Sequence, residues 1–171
     1  MPLAYFITFS TYGTWLHGAS KGTGSVDRRH NLPGTPFVDP NASREAQSRA
    51  EMQQAPFTMQ PAEREIVRDA ITALCREKSW QLLALHVRSN HVHIVVAADR
   101  DPARVMTDMK AAASRELTRA NFDDATRKRW TRHGSTLHLF TVASVAEKID
   151  YTLNQQGTPM ALYDGRNDEA P

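Results

Sequence analysis

A single cysteine, Cys75, stands among 171 residues. One thiol excludes an internal disulfide framework and any multi-cysteine zinc cluster. No apolar run approaches the roughly eighteen residues of a membrane-spanning helix, so no membrane partner is expected. Met1 to Tyr12 lack a basic stretch ahead of an apolar one. A secretory signal is therefore not expected, and a cytoplasmic location is. Charge of one sign is also missing: 21 Lys and Arg face 19 Asp and Glu, for a net +2. That balance by itself says nothing about partners. With 40% hydrophobic positions, 171 residues suffice for one domain with a buried core, expected to span 1–171.

The charge is unevenly spread. Residues 101–142 hold eight basic against five acidic side chains, and residues 143–171 hold two against five. The basic middle contains Arg127-Lys128-Arg129-Trp130-Thr131-Arg132. Such cations could track a phosphate backbone while the indole stacks on a base. A solvated loop after a helix explains the same run equally well.

Leu3, Tyr5, Ile7 and Phe9 alternate with their neighbours, the period of a strand. Residues 13–60 carry Gly22-Thr23-Gly24-Ser25 and Pro33-Gly34-Thr35-Pro36 and read as a long insertion after that strand, with a short helix near Ser43 to Gln54. These glycines lack the Gly-Lys-Ser/Thr ending of a phosphate-binding loop. Ile66, Val67, Ala70, Ile71 and Leu74 recur at helical spacing after Pro61. Trp80 to Arg88 and His91 to Ala98 form a hairpin around Ser89-Asn90. A second helix runs from Pro102 to about Ala120, a strand covers Thr136 to Val142, and a last helix covers Ser144 to Gln156, stopped by Gly157 and Pro159. Residues 158–171 are expected to form a flexible tail. The order β-α-β-β-α-β-α predicts an α+β fold: a ferredoxin-like or RRM-like antiparallel sheet with helices on one face.

Two histidines carry the chemistry. In His91-Val92-His93 the imidazoles share one strand face and Val92 takes the other. On an open sheet face, such a pair suits two ligands of one divalent metal, although cross-strand hydrogen bonding explains most isolated examples. A turn at Ser89-Asn90 pairs Val87 with Val92 and His86 with His93, making His86 a neighbour or an outer partner of the pair. In the last helix Tyr151 lies about 200° around the axis from Ile149, away from the apolar stripe of Val145, Ile149 and Leu153. Gln155 follows one turn later. A displayed tyrosine beside an amide suits a nucleophile next to a metal ligand; a surface tyrosine packing on its neighbours is the plain alternative. Arg115 and Arg119, one turn apart, could hold phosphate or pair with local carboxylates such as Glu116.

Taken together, Asn90-His91-Val92-His93 followed by Tyr151-x-x-x-Gln155 resembles the single-tyrosine HUH transposases, which include insertion-sequence and REP-associated tyrosine transposases. Thr11-Tyr12-Gly13-Thr14-Trp15-Leu16 and Trp130-Thr131-Arg132-His133-Gly134-Ser135-Thr136 are similar to stretches of a subgroup of that family. Ser89 departs from the proline that many members carry before the asparagine. The resemblance implies that His91, His93 and Gln155 hold Mg2+ or Mn2+. It implies that Tyr151 attacks a phosphodiester of single-stranded or hairpin DNA, giving a 5′-phosphotyrosine and a free 3′-hydroxyl. A homodimer would supply two such sites. Three alternatives stand beside it. One is a hairpin-binding regulator that does not cleave, and another is a replication-initiation or relaxase nuclease with HUH chemistry. The third is a zinc hydrolase built on His91, His93 and His86, which lacks an acidic general base at suitable spacing.

Overall fold

The computed structural model describes residues 1–14 and 42–168. Strand β1 is Ala4–Ser10, and helix α1, Ala42–Ala50, precedes the longer helix α2, Pro61–Glu77. The start of α2 is set by proline at its first turn and a capping box: Gln60 N–H donates to the Glu63 carboxylate at 2.6 Å. Strands β2 (Gln81–Val87) and β3 (His91–Ala97) form the hairpin. Helix α3, Pro102–Arg119, is capped by Asp101, whose carboxylate accepts from the amides of Ala103 and Arg104. Strand β4 (Ser135–Leu139), helix α4 (Val142–Asn154), strand β5 (Ala161–Asp164) and a short 3-10 turn complete the chain.

The strands form one antiparallel sheet in the order β4-β1-β3-β2-β5. Period-two alternation gives it two distinct apolar faces. Ile7 and Phe9 of β1 with Val92, Ile94 and Val96 of β3 pack against Val67, Ile71 and Leu74 of α2 and Val105, Met109 and Leu117 of α3. Ala4, Phe6, Ala84 and Val95 point the other way, onto Val145, Ile149 and Leu153. The α+β antiparallel fold is as expected, but the helices are not all on one face. Helix α4 covers the second face. Its apolar stripe shows that one side must be buried without saying against which side of the sheet, and α2 and α3 already fill the first.

Two further expectations are corrected. The 158–171 segment is not a tail throughout: Ala161–Asp164 adds a fifth strand beside β2, pairing Val87 with Ala161 and Ala84 with Asp164. Beyond it, Arg76 meets Asp168 at 3.2 Å. The 13–60 segment is not wholly an insertion either. Residues 52–60 run as a strap whose Phe57 and Met59 are buried in the main core. Its amides pair with the framework, Phe57 N–H donating to the Tyr12 carbonyl at 2.8 Å and Met59 N–H to the Ser89 carbonyl at 2.7 Å. The helix expected near Ser43 to Gln54 is α1. Both glycine-containing stretches, and Trp15 and Leu16 of the early motif, lie outside the described residues. Among the described residues no helix is long and apolar enough to cross a membrane.

Candidate active site

The hairpin register is the one the turn dictates: Val87 opposite Val92 and His86 opposite His93, with Thr8 and Ser10 of β1 flanking His93 and His91 on the other side. Period two therefore puts both imidazoles on the α4 side of the sheet. Their ring centroids are 4.7 Å apart. Asn90 Oδ1, an acceptor only, takes a hydrogen bond from His91 Nδ1 at 2.6 Å, which leaves the lone pair of that ring on Nε2. Thr8 Oγ1 lies 2.9 Å from His93 Nδ1, and the Phe6 ring stacks on His93 at 5.6 Å.

An open sheet face was the expectation from sequence; instead α4 lies over the pair. His93 is 7% exposed. Burial pushes its pKa from 6.5 to about 3, helped by the neighbouring His91. Burial, then the charge of Arg88, brings His91 to about 4. Both rings are thus neutral at neutral pH, each with one nitrogen that carries no proton. A linkage follows. Below pH 6.5 the unfolded chain takes up protons that the native rings refuse, so stability falls as pH drops from about 6.5 toward about 4. Melting temperatures of chelator-treated protein should decline across that window, and less steeply in the His91→Gln, His93→Gln double variant.

Helix α4 brings the tyrosine. Thr141 caps it by accepting from Ser144 N–H, and Val145, Ile149 and Leu153 seat it on the sheet. Tyr151 then projects from the flank, its ring 5.6 Å from His93 and 5.8 Å from Phe6. Lys148 Nζ lies 5.5 Å from the Tyr151 ring and 5.7 Å from Phe6. One chain therefore holds tyrosine and histidines side by side.

Gln155 is not part of this group. It is exposed, and its amide donates to the Asp150 carboxylate. Gln156 stands in its place: its side chain lies beside both imidazoles, where it partly offsets the effect of burial on them, and its Nε2 donates to the Tyr151 carbonyl at 3.1 Å. The reason is local. The helix ends at Asn154, and Gln155, with φ −111° and ψ 18°, is its C-cap: its N–H still reaches the Tyr151 carbonyl at 3.3 Å, but its side chain is held by Asp150. Gly157, at φ 74°, was the sequence signal for this early stop.

Two neutral imidazoles and the Gln156 side-chain amide lie together here, donor types that fit a divalent cation. Replacing Gln156 with alanine should weaken Mn2+ binding at least about tenfold, whereas Gln155→Ala should leave it unchanged. Calorimetric titration with Mn2+ separates the two. His86 is no ligand, because both its nitrogens are committed. Nδ1 donates to the Thr152 carbonyl at 3.0 Å, and Nε2 accepts from Met160 N–H at 3.1 Å. The zinc-hydrolase alternative loses its third histidine. Among the described residues no three His, Cys, Asp or Glu side chains are grouped to hold a metal.

The expected DNA contacts lie elsewhere. Arg115 and Arg119 are on α3, across the sheet from the histidines, and Arg119 pairs with Glu116 at 2.8 Å. The basic run is largely a clasp. Arg127 donates to Ala55 and Pro56 carbonyls at 2.8 and 3.1 Å, and the Lys128 ammonium donates to Gln53. Arg129, 3% exposed, donates to Thr118 Oγ1 at 3.0 Å and to the Asp123 and Asp124 carbonyls. Trp130 is no stacking platform: its ring packs 5.2 Å from Phe9, and Nε1 donates to Ser114 at 2.9 Å. Arg132 is exposed.

Residues 52–150 match the family described as "Transposase IS200 like". The match takes in the strap, α2, the hairpin with both histidines and α3, and stops one residue before Tyr151. Two solved structures are similar. A REP-associated tyrosine transposase bound to a REP hairpin shares 14% identity over 91% of this chain and 67% of its own, with a TM-score of 0.48. A candidate transposase from Deinococcus radiodurans R1 shares 15% over 92% and 94%, with a TM-score of 0.45. No curated protein sequence matches the chain.

Proposed function

Since the chain belongs to the IS200-like transposase family, we propose that it cuts and rejoins single-stranded DNA with Tyr151 as nucleophile and His91, His93 and Gln156 as ligands of Mg2+ or Mn2+. The observation that carries this reading is the approach of the Tyr151 ring to His93, 5.6 Å between centroids, inside one chain. The chain just past the C-cap of the same helix sets Gln156 beside both rings.

On this reading the Tyr151 phenol oxygen attacks phosphorus, giving its proton to solvent. A bond from that oxygen to phosphorus forms while the bond to the upstream 3′ oxygen breaks, and that oxygen leaves as a 3′-hydroxyl. The downstream strand stays attached to Tyr151 through its 5′-phosphate. A different 3′-hydroxyl reverses the step, joining strands and restoring the phenol, with no ATP because the bond is conserved. A bound cation would polarise the scissile phosphate and offset charge on its oxygens. The chain does the rest. Thr8, Asn90 and Phe6 fix the imidazole orientations, Lys148 sets a positive charge where the phosphate must arrive, and α4 excludes water from one side of His93. The place of action on this reading is the cytoplasm.

The test uses single-stranded oligonucleotides, with and without a hairpin, labelled on the 3′ side, plus Mn2+ or Mg2+. A detergent-resistant protein–DNA adduct carrying that label, and a released fragment that a polymerase extends from its 3′-hydroxyl, are the expected products. DNA binding with no adduct across the set would favour the non-cleaving regulator instead.

A further inference from the structure

With Arg127 and Arg129 spent on backbone carbonyls and Lys128 on Gln53, the strand of DNA needs further cations beside the histidines. Two arginines flank the turn that holds them. Arg88, directly after β2, donates to the Thr158 carbonyl at 2.9 Å and lies 3.5 Å from His86 Nε2. Gly157 leaves room beside it, a Cβ there falling 3.9 Å from Arg88 Nη2. Arg64, on α2, donates to the Met59 carbonyl at 2.8 Å, and Met59 N–H is bonded to Ser89 in the same turn. Both side chains are partly exposed. Among the described residues neither meets a carboxylate, whereas Arg68, Arg76, Arg119 and Arg166 each do.

The two like charges also feel each other: burial, then Arg64, lowers the pKa of Arg88. Two cations held close together without a counter-charge, beside a donor set that is itself neutral, leave a positive field at this end of the hairpin. A polyanion relieves it. Each guanidinium spends one or two of its five N–H groups on neutral acceptors and keeps the rest for phosphate oxygens.

We propose that Arg64 and Arg88 together grip the backbone phosphates of the DNA strand that enters the histidine site, an inference that rests on the DNA-cutting reading above. They bind without reading sequence, and they fix the strand on the side of the hairpin turn. This is the role that Arg115, Arg119 and residues 127–130 do not fill.

The experiment measures binding of a fluorescent single-stranded oligonucleotide at several KCl concentrations in chelator, for wild type, R64Q, R88Q and R88K. Removing the cation that neutralises one phosphate should reduce the slope of log affinity against log salt by about 0.7. R64Q and R88Q should each show that drop, and R88K should keep the wild-type slope. R115Q and R119Q, on the far face, should match wild type. A purely scaffolding arginine would change affinity without changing slope. Wild-type slopes in both R64Q and R88Q, with Tyr151-dependent adduct retained, would overturn the grip and leave the cutting reading intact. Absence of both DNA binding and adduct in the wild type would overturn both. If R88Q fails to fold by circular dichroism, R64Q and R88K carry the test.

Discussion

Replacing Tyr151 with phenylalanine should eliminate the covalent DNA adduct and lower strand transfer by at least about a thousandfold, with folding and DNA binding retained. The ring would keep its edge contacts with Phe6 and His93 and its place beside the Lys148 ammonium. Among the described residues the Tyr151 hydroxyl makes no hydrogen bond that the fold would lose. The substitution therefore removes one oxygen and very little packing. Gel analysis after denaturation reads the adduct, and the melting temperature reads the fold. An undiminished adduct in Tyr151→Phe would place the nucleophile elsewhere and sink the mechanism.

Removing His91 should be nearly as damaging, by a different route. His91→Ala takes away one of the two nitrogens available to a cation. Metal-supplied charge stabilisation of several kcal/mol corresponds to about a thousandfold in rate. The variant should also lose Mn2+ binding in calorimetry, while its chelated form binds DNA as wild type does. His93→Ala should lose the same activity and stability as well. That ring is 7% exposed, is stacked by Phe6 and is bonded to Thr8, so its removal leaves a hole beneath α4. Full Mn2+-dependent adduct formation by His91→Ala would rule out the histidine pair as the cation site.

The sequence was most readable where geometry is local. A hairpin closed at Ser89-Asn90 fixes its own register, so the pairing of His86 with His93, and the shared face of His91 and His93, follow from counting. Helical spacing likewise isolates Tyr151 from the stripe of Val145, Ile149 and Leu153. What could not be read depends on distant partners. The charges of Arg127 and Arg129 look free in the sequence, yet Arg127 is used by carbonyls of Ala55 and Pro56 and Arg129 by those of Asp123 and Asp124. The side of the sheet chosen by α4 depends on α2 and α3 having filled the other. A four-residue strand such as β5 is too short to show a period. Gln155 and Gln156 differ by a single step of backbone at a fraying helix end, where periodic extrapolation fails first.

Helix α4 leaves β4 at one edge of the sheet and hands the chain to β5 at the opposite edge. It is thus a beam anchored at both ends. Lending its tyrosine to another copy of the protein would mean stripping β5 from β2 as well as lifting the helix. On the DNA-cutting reading, the traffic during rejoining falls to the nucleic acid: a stationary tyrosine keeps hold of its 5′ end while a new 3′ end is brought to it.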